Sequence, residues 1–157
     1  MRAVPLLVVI MLSAATDVVR PQAQDSFQAL RGMIGSYETA WNAHDAAAIA
    51  AFFTEDGDQV MTDGPMIVGR EALGRYWTAS FKSMEPERKI TLTVTAMRLV
   101  TPGVVVINTV ATTGGRTVQG QALPASTDRG TWFVVQKDGR WLMTALRVQA
   151  AERAMPK

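Results

Sequence analysis

The chain contains no cysteine, and this absence excludes several kinds of structure. Disulfide bonds, thiolate metal sites and lipid attachment through a cysteine are all impossible, so the fold must be stabilised by packing. Imidazole is nearly as scarce, because His44 is the only histidine. A single histidine without cysteine partners gives little support for a zinc site, and we predict no metal.

An excess of charge of one sign is also lacking. The 16 basic and 14 acidic residues give a formal net charge of +2, and they are intermixed along the chain. A nucleic-acid partner would require a basic patch or stripe, so we predict none. The chain also has no nucleotide-binding glycine motif, since the glycines of the segment 114–126 are irregularly spaced. We therefore predict no nucleotide or redox cofactor.

The most apolar run lies at the start of the chain and is short. A basic residue precedes the apolar segment from Val4 to Leu12, and small residues follow it, which is the plan of a secretory signal peptide. Asp17 and Arg20 interrupt the run before it reaches the roughly 17 to 25 apolar residues of a membrane span. We predict that residues 1–23 are a signal peptide with a short leader, leaving no membrane span, and that 24–157 form one domain, exported to the periplasm or secreted.

From Ser26 onward the apolar residues follow a helical period. The residues that share one stripe are Phe27, Leu30, Ile34, Tyr37 and Trp41. Gly32 and Gly35 each cost about 1 kcal/mol in a helix interior, so we predict that another element packs closely there. Asp45 stands where it would cap a second helix, predicted over residues 46–53.

The next segment, residues 54–65, is rich in acids but lacks the spacing of a calcium-binding loop. We interpret it as a solvated turn that leads into a short strand over residues 59–62. A partner strand over 66–68 follows, and Gly69 leads into a third helix. The apolar residues that keep a helical step there are Leu73, Tyr76, Trp77, Phe81 and Met84.

Beyond Pro86 the period changes to two, which is typical of strands. Strands are predicted over residues 90–97, 104–113, 128–136 and 141–149, with Asp138 and Gly139 forming the last hairpin turn. This order predicts an α+β fold, with three N-terminal helices packed on a curved antiparallel sheet. The run from Val104 to Ile107 is apolar on both sides of the pleat and indicates a subunit interface.

Three stretches together resemble a known superfamily: SYETAWNAHDAAAIAAFFTEDG, DGPMIVGREALGRYW and WFVVQKDGRW. The combination resembles the nuclear-transport-factor-2-like superfamily, and within it the SnoaL-like proteins of the SgcJ–EcaC group, distant relatives of ketosteroid isomerase. The resemblance implies a cone-shaped cystatin-like fold, a small-molecule pocket between the first helix and the concave sheet, and a homodimer through the outer sheet face. Members include isomerases, dehydratases and non-catalytic binding modules, so the fold leaves the function open.

Ketosteroid isomerase chemistry needs an aspartate base, and a tyrosine with a second donor to hold the developing oxyanion. The resemblance places the tyrosine on Tyr37, the base on Met61 and the second donor on Thr131. A methionine carries no proton. The predicted base beside Tyr37 is therefore Asp63, two residues further on, which requires a bulge in the short strand or a shifted register. A structural interpretation stays open for Tyr37 as a core aromatic, and for His44 at a helix end.

The remaining candidates could line the pocket. The predicted ligand-binding residues are Trp41, Phe53, Met61, Trp77, Asn108, Trp132 and Arg147. The tryptophans could form an aromatic wall or pack in the core. Asn108, Arg147 and Gln149 interrupt apolar strands, and they would meet a polar ligand on the concave face or solvent on the other. The sequence thus predicts a protein that binds a small organic molecule, with isomerase or dehydratase activity or as a non-catalytic module.

Overall fold

A computed structural model describes residues 19–62 and 64–151. Residues 1–18 of the predicted signal segment and the predicted base Asp63 lie outside the described residues. Within the described part, no helix is long and apolar enough to cross a membrane.

Three helices and six strands make up the fold of these residues. In chain order they are α1 (Val19–Asn42), α2 (Ala46–Ala51), β1 (Phe53–Val60), β2 (Met66–Val68), α3 (Arg70–Ser83), β3 (Lys89–Thr101), β4 (Val104–Gly114), β5 (Ser126–Lys137) and β6 (Arg140–Ala150). The strands form one sheet in the order β2-β1-β6-β5-β4-β3. The predicted α+β class is confirmed, and the four long strands are antiparallel neighbours. However, β1 pairs in parallel with β6, so the sheet is mixed.

The predicted turn after α2 is wrong, because a strand begins already at Phe53. The register between β1 and β6 shifts between Phe53 and Asp58, which marks an irregularity in the strand. Gly57 lies within it, and a Cβ there would come 2.9 Å from the carbonyl oxygen of Met143. The glycine therefore allows an acidic segment to join the sheet next to the last strand.

The apolar stripe of α1 is buried as predicted, with Leu30, Ile34 and Tyr37 all in the core. The predicted close packing at Gly32 and Gly35 is wrong, because a Cβ at either position would meet nothing within 4 Å. Both glycines lie off the stripe and face outward.

Polar side chains of α1 fasten this helix to the edge strand β3. The Asn42 side chain donates to the carbonyl oxygen of Ile90 (3.0 Å) and accepts from its N–H (2.7 Å). One helical turn earlier, the Glu38 carboxylate accepts from the N–H of Leu92 (2.7 Å). These bonds satisfy backbone groups that an edge strand otherwise leaves unpaired, and they hold α1 across the concave face.

The residues at the starts of α2 and α3 fix the positions of these two helices. Asp45 caps α2 as predicted, since its carboxylate accepts from the N–H of Ala48 (2.9 Å). Gly69 precedes α3 with φ 92°, a left-handed conformation that favours glycine. Next to it, Arg70 donates from Nε (2.9 Å) and Nη2 (2.6 Å) to the carbonyl oxygen of Phe53, which ties the start of α3 to β1.

The first part of β4, from Val104 to Ile107, is apolar on both faces, as predicted. Val105 and Ile107 are fully buried in the core. Val104 and Val106 point to the outer face of the sheet and are half-buried. The outer face therefore carries apolar side chains that the core does not cover.

Candidate functional site

A cavity of about 410 Å³ lies between α1, α3 and the concave face of the sheet. Its aromatic lining residues are Tyr37, Trp41, Tyr76, Trp77 and Trp132. Its polar lining residues are Ser80, Ser83, Arg88, Thr109, Thr113 and Asp128. Mostly apolar clefts or cavities of roughly 300 to 1,000 Å³ with a few polar groups are typical of small-molecule sites.

Five of the residues singled out in the sequence line this cavity: Tyr37, Trp41, Met61, Trp77 and Trp132. They come from α1, the residue that follows β1, α3 and β5. The structure therefore brings together most of the predicted aromatic wall.

Three predicted ligand-binding residues lie elsewhere. Phe53 is fully buried in the core, where β1 begins. Asn108 and Arg147 are on the outer face, because their chain neighbours point inward and successive strand residues face opposite sides. The Arg147 guanidinium there forms an ion pair with the Asp58 carboxylate from the parallel strand.

Thr131 and His44 are also outside the cavity. The Thr131 hydroxyl donates to the side-chain oxygen of Asn108 (3.3 Å) on the outer face, so it is no oxyanion donor for this cavity. The His44 ring stacks on Phe81 at 4.9 Å, and its Nε2 lies 3.3 Å from the carbonyl oxygen of Arg88. His44 thus joins the end of α1 to α3 and the start of β3.

Tyr37 is both a core aromatic and a wall of the cavity. It is 3% exposed, and its ring packs edge-on against Trp132 (4.9 Å) and Phe52 (5.6 Å). Burial raises the pKa of its hydroxyl far above the ordinary value, and the neighbouring Tyr76 adds to the rise. The hydroxyl therefore keeps its proton at physiological pH and can act as a hydrogen-bond donor.

Two tryptophans of the wall use their indole N–H groups within the protein. Trp77 donates to the side-chain oxygen of Gln59 (3.2 Å), and Trp132 donates to the Thr109 hydroxyl (2.9 Å). Both bonds are buried. These indoles consequently offer the cavity ring surface rather than free donors.

Asp128 is a carboxylate that lines the cavity, and the sequence did not lead us to predict it. It is half-buried near the start of β5, and burial raises the pKa of its carboxyl group. In the described part of the chain, no basic side chain forms an ion pair with it. A period of two from Trp132 through Gly130 leads to Asp128, and this signal could have placed it on the pocket face.

Arg88 brings a positive charge to the cavity where α3 meets β3. Its Nε donates to the Glu85 carboxylate (3.1 Å), and its Nη1 donates to the carbonyl oxygen of Pro124 (3.2 Å). The guanidinium is thus partly neutralised and held between two loops. Over residues 19–62 and 64–151, no three histidine or acidic side chains are arranged to hold a metal ion.

Helices that close a cavity against a curved, mostly antiparallel sheet define the nuclear-transport-factor-2-like class of cystatin-like folds. The model of the SnoaL-like domain family matches residues 34–143, and the chain belongs to this family. No curated protein matches the chain.

Solved structures agree with this assignment. A protein with a cystatin-like fold from Caulobacter vibrioides is 25% identical, with a TM-score of 0.70 over 82% of this chain and 91% of its own. An NTF2-like protein from Novosphingobium aromaticivorans is 13% identical, with a TM-score of 0.74 over 92% and 94%. A ketosteroid isomerase-like protein from Erwinia carotovora atroseptica is 13% identical, with a TM-score of 0.67 over 80% and 96%. These similarities show the fold.

Proposed function

We propose that this protein binds a small, largely apolar organic molecule in the cavity and catalyses a proton transfer on it, of the isomerase or dehydratase type. The observation that carries this proposal is the Asp128 carboxylate, which lines an aromatic cavity without an ion-pair partner in the described residues. Burial raises its pKa, which makes the ionised carboxylate a stronger base.

Tyr37 supplies the complementary group. Its hydroxyl keeps its proton, so it can donate a hydrogen bond to an oxygen on which negative charge develops. Such a donor stabilises an enolate-like transition state more than the neutral ground state. The likeness to a ketosteroid isomerase-like protein supports this class of reaction.

Deuterium exchange tests the proposal without knowledge of the natural substrate. The protein is incubated in D2O with a panel of small cyclic ketones, and exchange next to the carbonyl group is followed by NMR. We expect Asp128→Asn to slow exchange by about 10² to 10⁴-fold, the usual contribution of a general base. Asp138→Asn, in the exposed β5–β6 turn, is the matched control and should exchange at the wild-type rate. Exchange that persists in Asp128→Asn would reject the assigned base.

A non-catalytic binding module is the second candidate, and Met61 favours it. This residue occupies the position to which the resemblance assigns the base, it lines the cavity, and its thioether carries no proton. The same assay separates the two candidates. A ketone that binds without exchange above the buffer rate would support the binding module.

We also propose that two copies pair through the outer face of the sheet. Phe133 is 40% exposed there, although it lies on an inner strand of the sheet. Its cross-strand neighbour Val106 and the nearby pair Val104 and Val135 are half-buried and apolar. An exposed aromatic among apolar neighbours is typical of a protein interface.

Export is proposed from the N-terminal sequence pattern alone. The expected mature protein begins after residue 15 or residue 23, and N-terminal sequencing of protein recovered outside the cytoplasm would identify the site. Recovery of the full-length chain from the cytoplasm alone would contradict export.

A further inference from the structure

Thr109 carries a buried hydroxyl with an unused donor. The residue is 2% exposed, lies in the middle of β4 and lines the cavity. Its oxygen accepts the indole N–H of Trp132 (2.9 Å). A threonine hydroxyl can accept and donate at the same time, and in the described part of the chain its hydrogen has no acceptor. A buried donor without an acceptor costs free energy, which a ligand oxygen would recover.

Gly130 shows that space is kept around this hydroxyl. It is the cross-strand partner of Thr109 and also lines the cavity. A Cβ at this position would lie 2.6 Å from the Thr109 oxygen and 3.0 Å from the indole nitrogen of Trp132. Glycine in a strand interior often marks a place where a ligand approaches closely. The absent side chain leaves both the hydrogen bond and the cavity beside it intact.

The charged side chains that line the cavity determine which kind of ligand oxygen it can bind. A ligand carboxylate would be repelled by Asp128, and Arg88 is already engaged by Glu85. Tyr37, whose hydroxyl keeps its proton, packs against the same indole at 4.9 Å and also lines the cavity. A neutral carbonyl oxygen on an apolar ring therefore suits the site better than an anion.

We propose that Thr109, held in position by Trp132, donates a hydrogen bond to the carbonyl oxygen of a neutral cyclic ligand. This inference rests on the proposed small-molecule function of the cavity and names the ligand class. The donation from Trp132 to the hydroxyl oxygen strengthens the bond that the hydroxyl in turn donates. The ligand carbonyl is thereby bound in the cavity that Tyr37 also lines.

Two probes with the same ring system test this assignment. 1-Tetralone carries a carbonyl oxygen and tetralin lacks it, and both are titrated against the full chain by tryptophan fluorescence. Thr109→Val should weaken tetralone binding about fivefold, as expected for one neutral hydrogen bond, and change tetralin binding less than twofold. Thr109→Ser should retain tetralone binding. Thr112→Val, the same change on the exposed face of β4, is the matched control.

A spectroscopic measurement separates a hydrogen bond from altered packing. The carbonyl stretch of bound tetralone should shift to lower frequency in the wild type and in Thr109→Ser, and this shift should shrink in Thr109→Val. If the valine variant does not fold, Thr109→Ala provides the same comparison. Unchanged tetralone binding, an equal loss for both probes, or no binding of either probe to the wild type would overturn the assignment.

The outcome is independent of turnover. Asp128→Asn should keep the contrast between the two probes while it loses deuterium exchange. An intact contrast without exchange in any variant would reject the proposed catalysis and keep the Thr109 site. If Asp128→Asn loses exchange and the Thr109 variants bind both probes as the wild type does, the proposed catalysis would stand and the Thr109 site would be rejected.

Discussion

Gly130→Ala offers a sharp test of how closely the cavity wall is packed. The added Cβ would lie 2.6 Å from the Thr109 oxygen and 3.0 Å from the Trp132 nitrogen. The first distance is shorter than a carbon and an oxygen can approach without displacement. The β-branched Thr109 has little rotamer freedom, so the strain should separate it from the indole N–H.

The expected change in the free energy of unfolding has two destabilising contributions and one stabilising contribution. Overpacking costs about 1 to 3 kcal/mol, and a buried indole N–H without a partner costs a further 1 to 3 kcal/mol. Replacing glycine also reduces the entropy of the unfolded chain, which returns about 0.4 to 1 kcal/mol. The free energy of unfolding should thus fall by about 1 to 6 kcal/mol, a large share of the 5 to 15 kcal/mol typical of a domain.

Urea unfolding followed by tryptophan fluorescence measures this change. Gly32→Ala is the matched control, because a Cβ there meets nothing within 4 Å and should stabilise α1 by up to about 1 kcal/mol. In a Thr109→Ala background the added methyl group at residue 130 should cost much less. A Gly130→Ala variant as stable as the wild type would refute the packing described here.

Three further predictions concern charge, assembly and the attachment of α1. Burial raises the folded-state pKa of Asp128, so the unfolded chain loses this proton at a lower pH than the folded protein does. Asp128→Asn should therefore be more stable than wild type in urea at pH 7. At strongly acidic pH the two proteins should be equally stable. Phe133→Asp should convert a dimer into monomers, as measured by light scattering. Val118→Asp, in the exposed β4–β5 loop, should leave the dimer intact. A wild type that is already monomeric would contradict the proposed interface. Asn42→Ala removes both hydrogen bonds to Ile90 and should lower the free energy of unfolding, measured with urea, by about 1 to 3 kcal/mol. An unchanged free energy of unfolding would show that these bonds contribute little.

Local patterns were sufficient for most of the helices. The stripe through Leu30, Ile34 and Tyr37 is buried because a period of 3.6 fixes which residues share a helix face. The Asp45 cap was predictable too, since it depends only on residues within one turn. The tight packing expected at Gly32 failed because the composition of a helix does not reveal what lies beside it.

The faces of the strands were harder to predict. A period of two separates two faces, but it does not say which face is inside, and irregularities shift the phase. The pairing of β3 with β4 slips between Val94 and Ala96, and that of β5 with β6 slips between Phe133 and Val134. Arg147 was assigned to the pocket because it interrupts an apolar strand, although it faces outward. Asp128 was overlooked, although an unbroken period of two links it to Trp132 on the cavity face.

The sequence by itself determined the family, the order of helices and strands, the absence of thiol chemistry and most of the aromatic residues of the cavity. These features depend on residue type and on contacts between near neighbours in the chain. Only the tertiary structure decided that β1 lies parallel to β6, that Asp128 shares a cavity with Tyr37, and that Gly130 leaves room beside Thr109. Each of these features depends on strand registers and helix packing between distant segments of the chain. The free energy of these contacts depends on the whole sheet, so no local pattern predicts them.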